Sequence, residues 1–230
     1  MNSPHLSSPS SRRVAAALIE SGCVSVRTDE PFRLPSGWAS PVYMDCRRLI
    51  SFPAARQTIL TQALAVLQER NCVDGLAGVA GGESSGIALA AWIAHALNLP
   101  MQYVRKRAAG ERQIEGVIHQ GDKVLLVDDL MAAGHSKLRF CKALIDAGAQ
   151  VEDLLVVFSY GTFPLAAELD TLNVRVHALA TWQDVLAAAR ERGDFPASAI
   201  DELRDFLDDP VRWSQSHGGL GAAVSGAANT

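Results

Sequence analysis

The 230-residue sequence lacks several features that would assign it to common specialised classes. Its four cysteines are 23, 26 and 69 residues apart, which matches neither a CxxC metal motif nor a disulfide framework (Cys23, Cys46, Cys72 and Cys141). Its six histidines include no pair three or four residues apart, which disfavours a transition-metal site. No apolar run is long enough to span a membrane, and the first residues, MNSPHLSSPSSRR, lack the apolar centre of a secretion signal. We therefore expect a cytoplasmic protein with reduced cysteines.

An excess of positive charge is also missing. There are 21 Lys and Arg against 25 Asp and Glu, a net charge of −4, which disfavours a nucleic-acid partner or a polybasic membrane anchor. The 48% apolar and 20% charged residues are typical of a globular protein, and the length suits one domain. Residues 1–10 are rich in Ser and Pro and residues 218–230 in Gly, Ala and Ser, so we predict disordered tails around one domain at 11–217.

Within this domain, apolar runs of strand length alternate with segments of helical period. The pattern predicts an α/β fold with a doubly wound, mainly parallel sheet of about five strands flanked by helices. The predicted strands are 75–79, 101–104, 123–129, 154–160 and 174–180, and a small N-terminal hood precedes them at about 23–50. We predict a helix from Ser10 or Ser11 to Gly22, and a long helix capped by Ser51 with Pro53 in its first turn.

The most informative segment is KVLLVDDLMAAGHSKL, at residues 123–138. Four apolar residues lead into Asp128 and Asp129 at a predicted strand end, and Gly134 to Ser136 then open a helix whose first N–H groups can bind a phosphate. The spacing fits neither the Walker pattern nor the dinucleotide GxGxxG. Acids ahead of a phosphate turn fit a ribose 5-phosphate, and the alternative is that they only cap the turn.

Two other loops follow predicted strand ends on the same edge. The segment RKRAAGERQ (105–113) carries a charge of +3 over eight residues, from Arg105 to Arg112, and we expect it to be a flexible loop that is either an anion clamp or merely solvated. Gly81 and Gly82 permit close approach of a ligand to the backbone. Glu83 either binds a metal through water or caps the helix at Ser84.

These segments resemble a known family. VLLVDDLMAAGHS resembles the thirteen-residue phosphoribosyl-pyrophosphate (PRPP) signature of type I phosphoribosyltransferases. FRLPSGWASPVYMDCRRLISFP resembles the FxLxSGxxSPxYxDxR segment of orotate phosphoribosyltransferases, YVRK and QIEG resemble the two ends of their mobile catalytic loop, and AGGESSGI resembles their pyrophosphate-side turn. The resemblance to the orotate phosphoribosyltransferase family extends over residues 12–215.

The resemblance implies an enzyme that transfers the phosphoribosyl group of PRPP to orotate in pyrimidine (UMP) biosynthesis. It implies that Asp128 and Asp129 hold the ribose hydroxyls and that Mg²⁺ binds through PRPP and water, without a firm protein ligand. The family's catalytic roles fall on Asp128, Asp129 and Lys106, with Arg107 and Arg112 as further cations. The resemblance also implies further PRPP-binding residues in three places. These are Arg105 in the loop, the phosphate turn (Leu130, Met131, Ala132, Ala133, Gly134, His135 and Ser136) and the pyrophosphate-side turn (Gly81, Gly82 and Glu83). A homodimer is implied, with each loop closing over the partner's site.

Three departures from the family pattern leave alternatives open. Pro35 stands where the family commonly has Lys, Ala132 where it often has Thr, and the loop between Lys106 and the IEG is shorter than usual and has no further lysine. A non-catalytic PRPP-binding regulator would fit the missing lysine. A phosphoribosyltransferase for another base is the second alternative, against which the segment from Ser36 to Arg47 argues.

Overall fold

The computed structural model describes residues 8–34, 37–109, 112–132, 134–162 and 171–220. None of the helices in these ranges is long and apolar enough to cross a bilayer. In chain order the elements are α1 (Pro9–Glu20), β1 (Val24–Val26), β2 (Phe32–Arg33), β3 (Ala39–Ser40), β4 (Val42–Met44), a 3₁₀ helix (Cys46–Ser51), α2 (Pro53–Glu69), β5 (Gly78–Gly82), α3 (Ser85–Leu97), β6 (Met101–Ala109), β7 (Arg112–Glu115), β8 (Val124–Met131), α4 (His135–Asp146), β9 (Asp153–Ser159), β10 (Arg175–Thr181), α5 (Trp182–Arg192), α6 (Ala197–Asp208) and α7 (Pro210–Ser216).

The main sheet confirms the predicted α/β class. Its strand order is β10-β9-β8-β5-β6-β7, and every neighbouring pair is parallel except β6 and β7. The sixth strand, β7, was not predicted. Chain order reverses between β5 and β8, since β5 is followed by β6 on one side while β8 and later strands extend the sheet on the other. In open α/β sheets such a switch point opens a crevice at the carboxyl ends of the strands.

The core forms two layers, one on each face of this sheet. Successive residues of a strand point to opposite faces, so Leu125 and Val127 pack with α1, α2 and α3, whereas Val124 and Leu126 pack with α4. Both sets of side chains are almost fully buried.

The N-terminal helix begins earlier than predicted. Its first residue is Pro9, and the Ser8 hydroxyl caps it by accepting a hydrogen bond from the Ser11 N–H at 3.0 Å. Residues 8–10 therefore do not belong to a disordered tail, and residues 1–7 lie outside the described ranges. At the other end, the Leu220 N–H donates to the Gly37 carbonyl at 3.1 Å, so 218–220 are held against the hood, while 221–230 lie outside those ranges.

Two further local predictions need correction. Ser51 does not cap α2: it ends the 3₁₀ helix, and Phe52 occupies the cap position, although Pro53 is the first helical residue as predicted. Residues 105–109 and 112–113 are not a loop, because they belong to the antiparallel pair β6–β7, with Val104 opposite Ile114. Strand pairing thus replaces the expected flexible loop.

The hood consists of two short antiparallel pairs, β1–β4 and β2–β3. It is joined to the core where the Met44 N–H donates to the Tyr160 hydroxyl at 3.3 Å and the Ala39 N–H donates to the Ser214 hydroxyl at 3.0 Å. The 3₁₀ helix that follows the hood contacts α3 and β8. It therefore lies beside the acidic end of β8.

Candidate active site

The crevice opens where β5 and β8 separate. Their pairing ends with Gly81 opposite Val127, whereas β8 continues to Met131 along β9. Asp128 and Asp129 lie just past the point of separation. The predicted strand 123–129 thus ends two residues too early, and both acids remain in a strand that is paired on one side.

Asp128 is engaged by the protein itself. Its side chain faces α4, where the Lys137 ammonium donates to Oδ2 at 2.6 Å, and the residue is only 3% exposed. Oδ1 accepts the Asp129 N–H at 2.9 Å and lies 3.4 Å from the Ser85 hydroxyl. Both carboxylate oxygens thus have protein donors.

Asp129 is more accessible and has a different electrostatic environment. Partial burial and the neighbouring carboxylate of Asp128 raise the pKa of Asp129 from 3.8 to about 6, and Ser85 and Lys137 oppose that rise. Its charge also raises the pKa of the buried Cys46 thiol, where burial is the largest cause. Above about pH 6, Asp129 is therefore an anionic hydrogen-bond acceptor.

The predicted phosphate turn follows directly. Gly134 has φ +87° and occupies the N-cap of α4, a conformation that glycine adopts without strain. His135 and Ser136 form the first turn, where backbone N–H groups have no partners within the helix. Met131 is buried in the core on the α4 side, Leu130 is partly buried and Ala132 forms a bend. Ala133 lies outside the described residues.

The glycines of the pyrophosphate-side turn have an additional, internal role. A Cβ on Gly81 would lie 2.6 Å from the Gly86 carbonyl oxygen, and a Cβ on Gly82 would lie 2.5 Å from the Phe140 ring. Both residues are fully within β5 and buried. Close packing of β5 against α3 and α4 therefore requires glycine even without a ligand, and their contact with pyrophosphate stays a prediction.

Glu83 follows these glycines and connects the turn to the next strand. Its Oε2 accepts the Lys106 N–H at 2.6 Å, and its own N–H donates to the Val104 carbonyl at 2.9 Å. The carboxylate thus joins the turn to β6 rather than capping α3. Water-mediated binding of a metal by Glu83 stays a prediction.

The predicted cations lie on the β6–β7 pair. Arg105 donates from Nε and Nη2 to Glu115 Oε1 at 2.9 and 2.8 Å, and this contact raises the pKa of Arg105. Lys106 and Arg107 are exposed, and within the described ranges neither side chain forms an ion pair. The side chain of Arg112, at the start of β7, lies outside the described residues. The charges of Lys106 and Arg107 are therefore not neutralised by an ion pair in the described part of the chain.

Sequence reasoning missed Lys137 as a site residue. It shares one face of α4 with Cys141 and Leu144, at spacings of four and seven residues, and all three are buried. A lysine on an apolar helix face signals a buried partner, and the strand acids immediately upstream are the natural candidates. The role of Glu115 as the partner of Arg105 could not be read from the sequence, because a bulge interrupts the β6–β7 register.

A second polar cluster lies at the opposite edge of the sheet, where β9 begins. Asp153 accepts from His177 Nε2 at 2.7 Å and from Arg175 Nε and Nη2 at 2.9 and 2.8 Å, with the Cys72 sulfur 3.5 Å from His177 Nε2. The guanidinium already neutralises the carboxylate that a cation would need. This cluster therefore stabilises the β9–β10 edge of the sheet.

Comparisons with known proteins agree with this geometry. No family model matches the chain. The chain is 43% identical over 214 residues to the orotate phosphoribosyltransferase of Dinoroseobacter shibae, covering 90% of this chain and 93% of the relative. It is also 43% identical over 213 residues to the enzyme of the same name from Sinorhizobium medicae, covering 91% and 92%.

Solved structures give the same result. The UMP synthase of Leishmania donovani matches with a TM-score of 0.75 and 28% identity over 86% of this chain, which spans 42% of that longer chain. The orotate phosphoribosyltransferase of Aeropyrum pernix matches with a TM-score of 0.66 and 29% identity, covering 78% of this chain and 99% of that one. With these relatives and with its acids, phosphate turn and cationic strand pair at one crevice, the chain belongs to the orotate phosphoribosyltransferase family.

Proposed function

We propose that this protein transfers the phosphoribosyl group of PRPP to orotate, giving orotidine 5′-monophosphate and pyrophosphate in pyrimidine nucleotide synthesis. A ring nitrogen of orotate forms a bond to the anomeric carbon, and pyrophosphate leaves with the electrons of the bond that breaks. The observation that carries the proposal is the juxtaposition of an accessible carboxylate, Asp129, with the N-terminus of α4 on the same strand-to-helix connection. That spacing suits a ribose and its 5′-phosphate.

The residues act by binding and by charge. The first turn of α4 holds the 5′-phosphate through its free N–H groups and the Ser136 hydroxyl. Asp129 accepts from ribose hydroxyls and favours positive charge on the sugar as the anomeric bond breaks. Arg105 and Lys106, on the strand beside β5, neutralise the departing pyrophosphate.

The donor set of the crevice fits Mg²⁺. Asp129 and Glu83 offer carboxylate oxygens, and Mg²⁺ is usually bound by one or two carboxylates together with substrate phosphates and water. When bound, the ion would neutralise part of the negative charge of the pyrophosphate. Asp129 is ionised above about pH 6 and can then contribute an oxygen ligand.

We also propose a homodimer in which the β6–β7 pair of one subunit serves the partner's site. A mixture of Asp129→Asn and Lys106→Ala subunits tests this, because shared sites would leave some heterodimer sites with both residues intact. Recovered activity after verified subunit exchange supports the proposal. If exchange is complete and activity stays at the level of the separate variants, each subunit uses its own cations. The cytoplasm is the compartment we propose, since all four cysteines are free and buried.

The decisive experiment measures the loss of orotate absorbance with purified protein, PRPP and Mg²⁺. We expect turnover that depends on all three components. Calorimetric PRPP binding without orotate consumption, both in the wild type and in an Ala109→Lys variant that adds a loop lysine, would instead indicate a non-catalytic PRPP-binding regulator. Consumption of PRPP with another base but not with orotate would indicate a different phosphoribosyltransferase.

A further inference from the structure

The two strand pairs of the hood are attached to the rest of the protein in different ways. At the end of β4, the Met44 N–H donates to the Tyr160 hydroxyl at 3.3 Å, just beyond β9. The next N–H, that of Asp45, donates to the Cys23 carbonyl at 2.9 Å. Outside its own pair, the main neighbour of β3 is α7. The position of the β2–β3 pair therefore depends on the C-terminal part of the chain.

A C-terminal strap, residues 218–220, lies across the β2–β3 pair. After α7, the Gly219 N–H donates to the Ser214 carbonyl at 2.8 Å and turns the chain back, and the Leu220 N–H donates to the Gly37 carbonyl at 3.1 Å. A Cβ on Gly219 would overlap the Ala39 nitrogen and the Ser214 hydroxyl oxygen. The close approach of the strap to β3 therefore requires glycine at this position.

Ser214 on α7 holds β3 at a second point. Its side chain is fully buried, and its hydroxyl accepts the Ala39 N–H at 3.0 Å. Ala39 is also fully buried, so its N–H cannot replace this acceptor with water. The Leu34 N–H donates to the Trp38 carbonyl at 2.9 Å and joins β2 to β3. The strap and Ser214 thus hold adjoining positions of one small strand pair.

The strand order shows which side of the crevice the hood borders. β5 and β6 lie on one side of β8, and β9 lies on the other. Since pyrophosphate leaves from one face of the ribose, the base must approach from the opposite face. With pyrophosphate on the β6 side, orotate lies on the side of β9 and the hood. The pKa of Arg47, just after the hood, is raised mainly by its hydrogen bond to Asp45 and also by the Asp129 carboxylate, so this segment adjoins the crevice.

We propose that Ser214 and the C-terminal strap are positioning residues for orotate. They hold the β2–β3 pair at the base side of the crevice and thereby set the affinity for orotate without touching it. This proposal rests on the proposed function for its substrate. The proposed PRPP contacts lie on β8, α4 and β6, whereas the strap contacts the hood, so displacing the strap should affect the two substrates unequally.

The kinetic test uses full-length Gly219→Ala, in which the added methyl group displaces the strap from Ala39 and Ser214. With Mg²⁺ and saturating PRPP, we expect the KM for orotate to rise about fivefold while kcat changes by less than about twofold. The calorimetric Kd for PRPP should stay within about twofold of the wild-type value. Ser214→Ala leaves the buried Ala39 N–H without its acceptor and should change the same constants in the same direction.

Amide hydrogen exchange reports on the strand pair directly and requires no substrate. The amides of Leu34 and Ala39 should exchange about tenfold faster in Gly219→Ala and in Ser214→Ala than in the wild type, because local opening becomes easier. The control is Ser216→Ala on the same helix, at an exposed residue whose hydroxyl donates to the Trp213 carbonyl at 2.9 Å. It should match the wild type in exchange and in the constants for both substrates.

Three results would overturn the proposal. Unchanged exchange at Leu34 and Ala39 in Gly219→Ala means that the strap does not hold the β2–β3 pair. Faster exchange with an unchanged KM for orotate means that this pair does not position the base. Equal losses of affinity for orotate and PRPP mean that the strap stabilises the domain as a whole.

Failure of the proposed function gives a different result. Wild-type protein that consumes no orotate refutes that function and, with it, the role of the strap toward orotate, whereas hydrogen exchange still decides whether the strap holds the β2–β3 pair. If Gly219→Ala does not fold, Leu220→Pro replaces it, since proline lacks the N–H that donates to the Gly37 carbonyl. Leu220→Ala keeps that N–H and is the matched control. A KM for orotate that is equal in these two variants contradicts the proposal.

Discussion

Replacing Asp129 with asparagine should stabilise the ligand-free protein and lower its affinity for PRPP. The carboxylate occupies a partly buried position next to Asp128, and both burial and that neighbour disfavour its charge. Asparagine keeps the shape of the side chain and removes the charge. A charged side chain that destabilises the ligand-free protein is expected in a binding site where an anion accepts hydrogen bonds from ligand hydroxyls.

The magnitude follows from the pKa. A rise from 3.8 to about 6 corresponds to about 3 kcal/mol between the two protonation states. Because the folded protein binds this proton more tightly than the unfolded chain, the stabilising contribution of the protonated carboxyl is complete below pH 3.8 and is lost as pH rises through about 6. The Asn variant undergoes no such loss. Its free energy of unfolding should therefore exceed that of the wild type by an amount that grows with pH to about 3 kcal/mol at most, with roughly half of the increase between pH 5 and pH 8.

Urea unfolding of both proteins at pH 5 and pH 8 measures this difference, since other titrating groups cancel in the comparison. Asp146→Asn, at an exposed position on α4, is the matched control and should change stability little at either pH. PRPP affinity of Asp129→Asn should fall at least tenfold, about 1.4 kcal/mol. The electrostatic reasoning would be refuted by an Asn variant that is less stable than the wild type at pH 8, or by a stability difference that is the same at pH 5 and pH 8.

The remaining predictions concern packing. Asp184 is fully buried and accepts from the Ser11 hydroxyl at 2.7 Å and from the N–H and hydroxyl of Thr181 at 2.8 Å each, so Asp184→Ala should destabilise by about 2–4 kcal/mol in urea unfolding. The control Asp201→Ala removes only an exposed ion pair with Arg204 and should cost less than about 1 kcal/mol. Similar losses in the two variants would contradict the stabilising role of the buried Asp184. Gly81→Ala should destabilise the ligand-free protein by about 1–3 kcal/mol, because the added Cβ meets backbone atoms of α3; unchanged stability with weakened PRPP binding would show instead that the glycine serves only the ligand.

Much of the fold could be read from local patterns. Short apolar runs separated by helical segments predicted the parallel strands, because both periodicities are properties of neighbouring residues. The acids and the glycine that opens α4 could be found for the same reason: a strand end, a turn and a helix start are contiguous in the chain. The β7 edge strand was missed, since its polar sequence carries no apolar alternation and its register with β6 is interrupted by a bulge.

The arrangement within the site was decided by tertiary structure. The sequence by itself determined that two carboxylates precede a phosphate turn, and family resemblance treated them alike. Only the tertiary structure distinguishes them: α4 supplies Lys137 to Asp128, which is buried, whereas Asp129 is partly exposed. A buried charge depends on which groups surround it in space, and those groups come from α3, α4 and the hood connection, which are distant along the chain. Local sequence therefore fixes which ionisable groups are present, and three-dimensional packing fixes how exposed each of them is and which groups surround it.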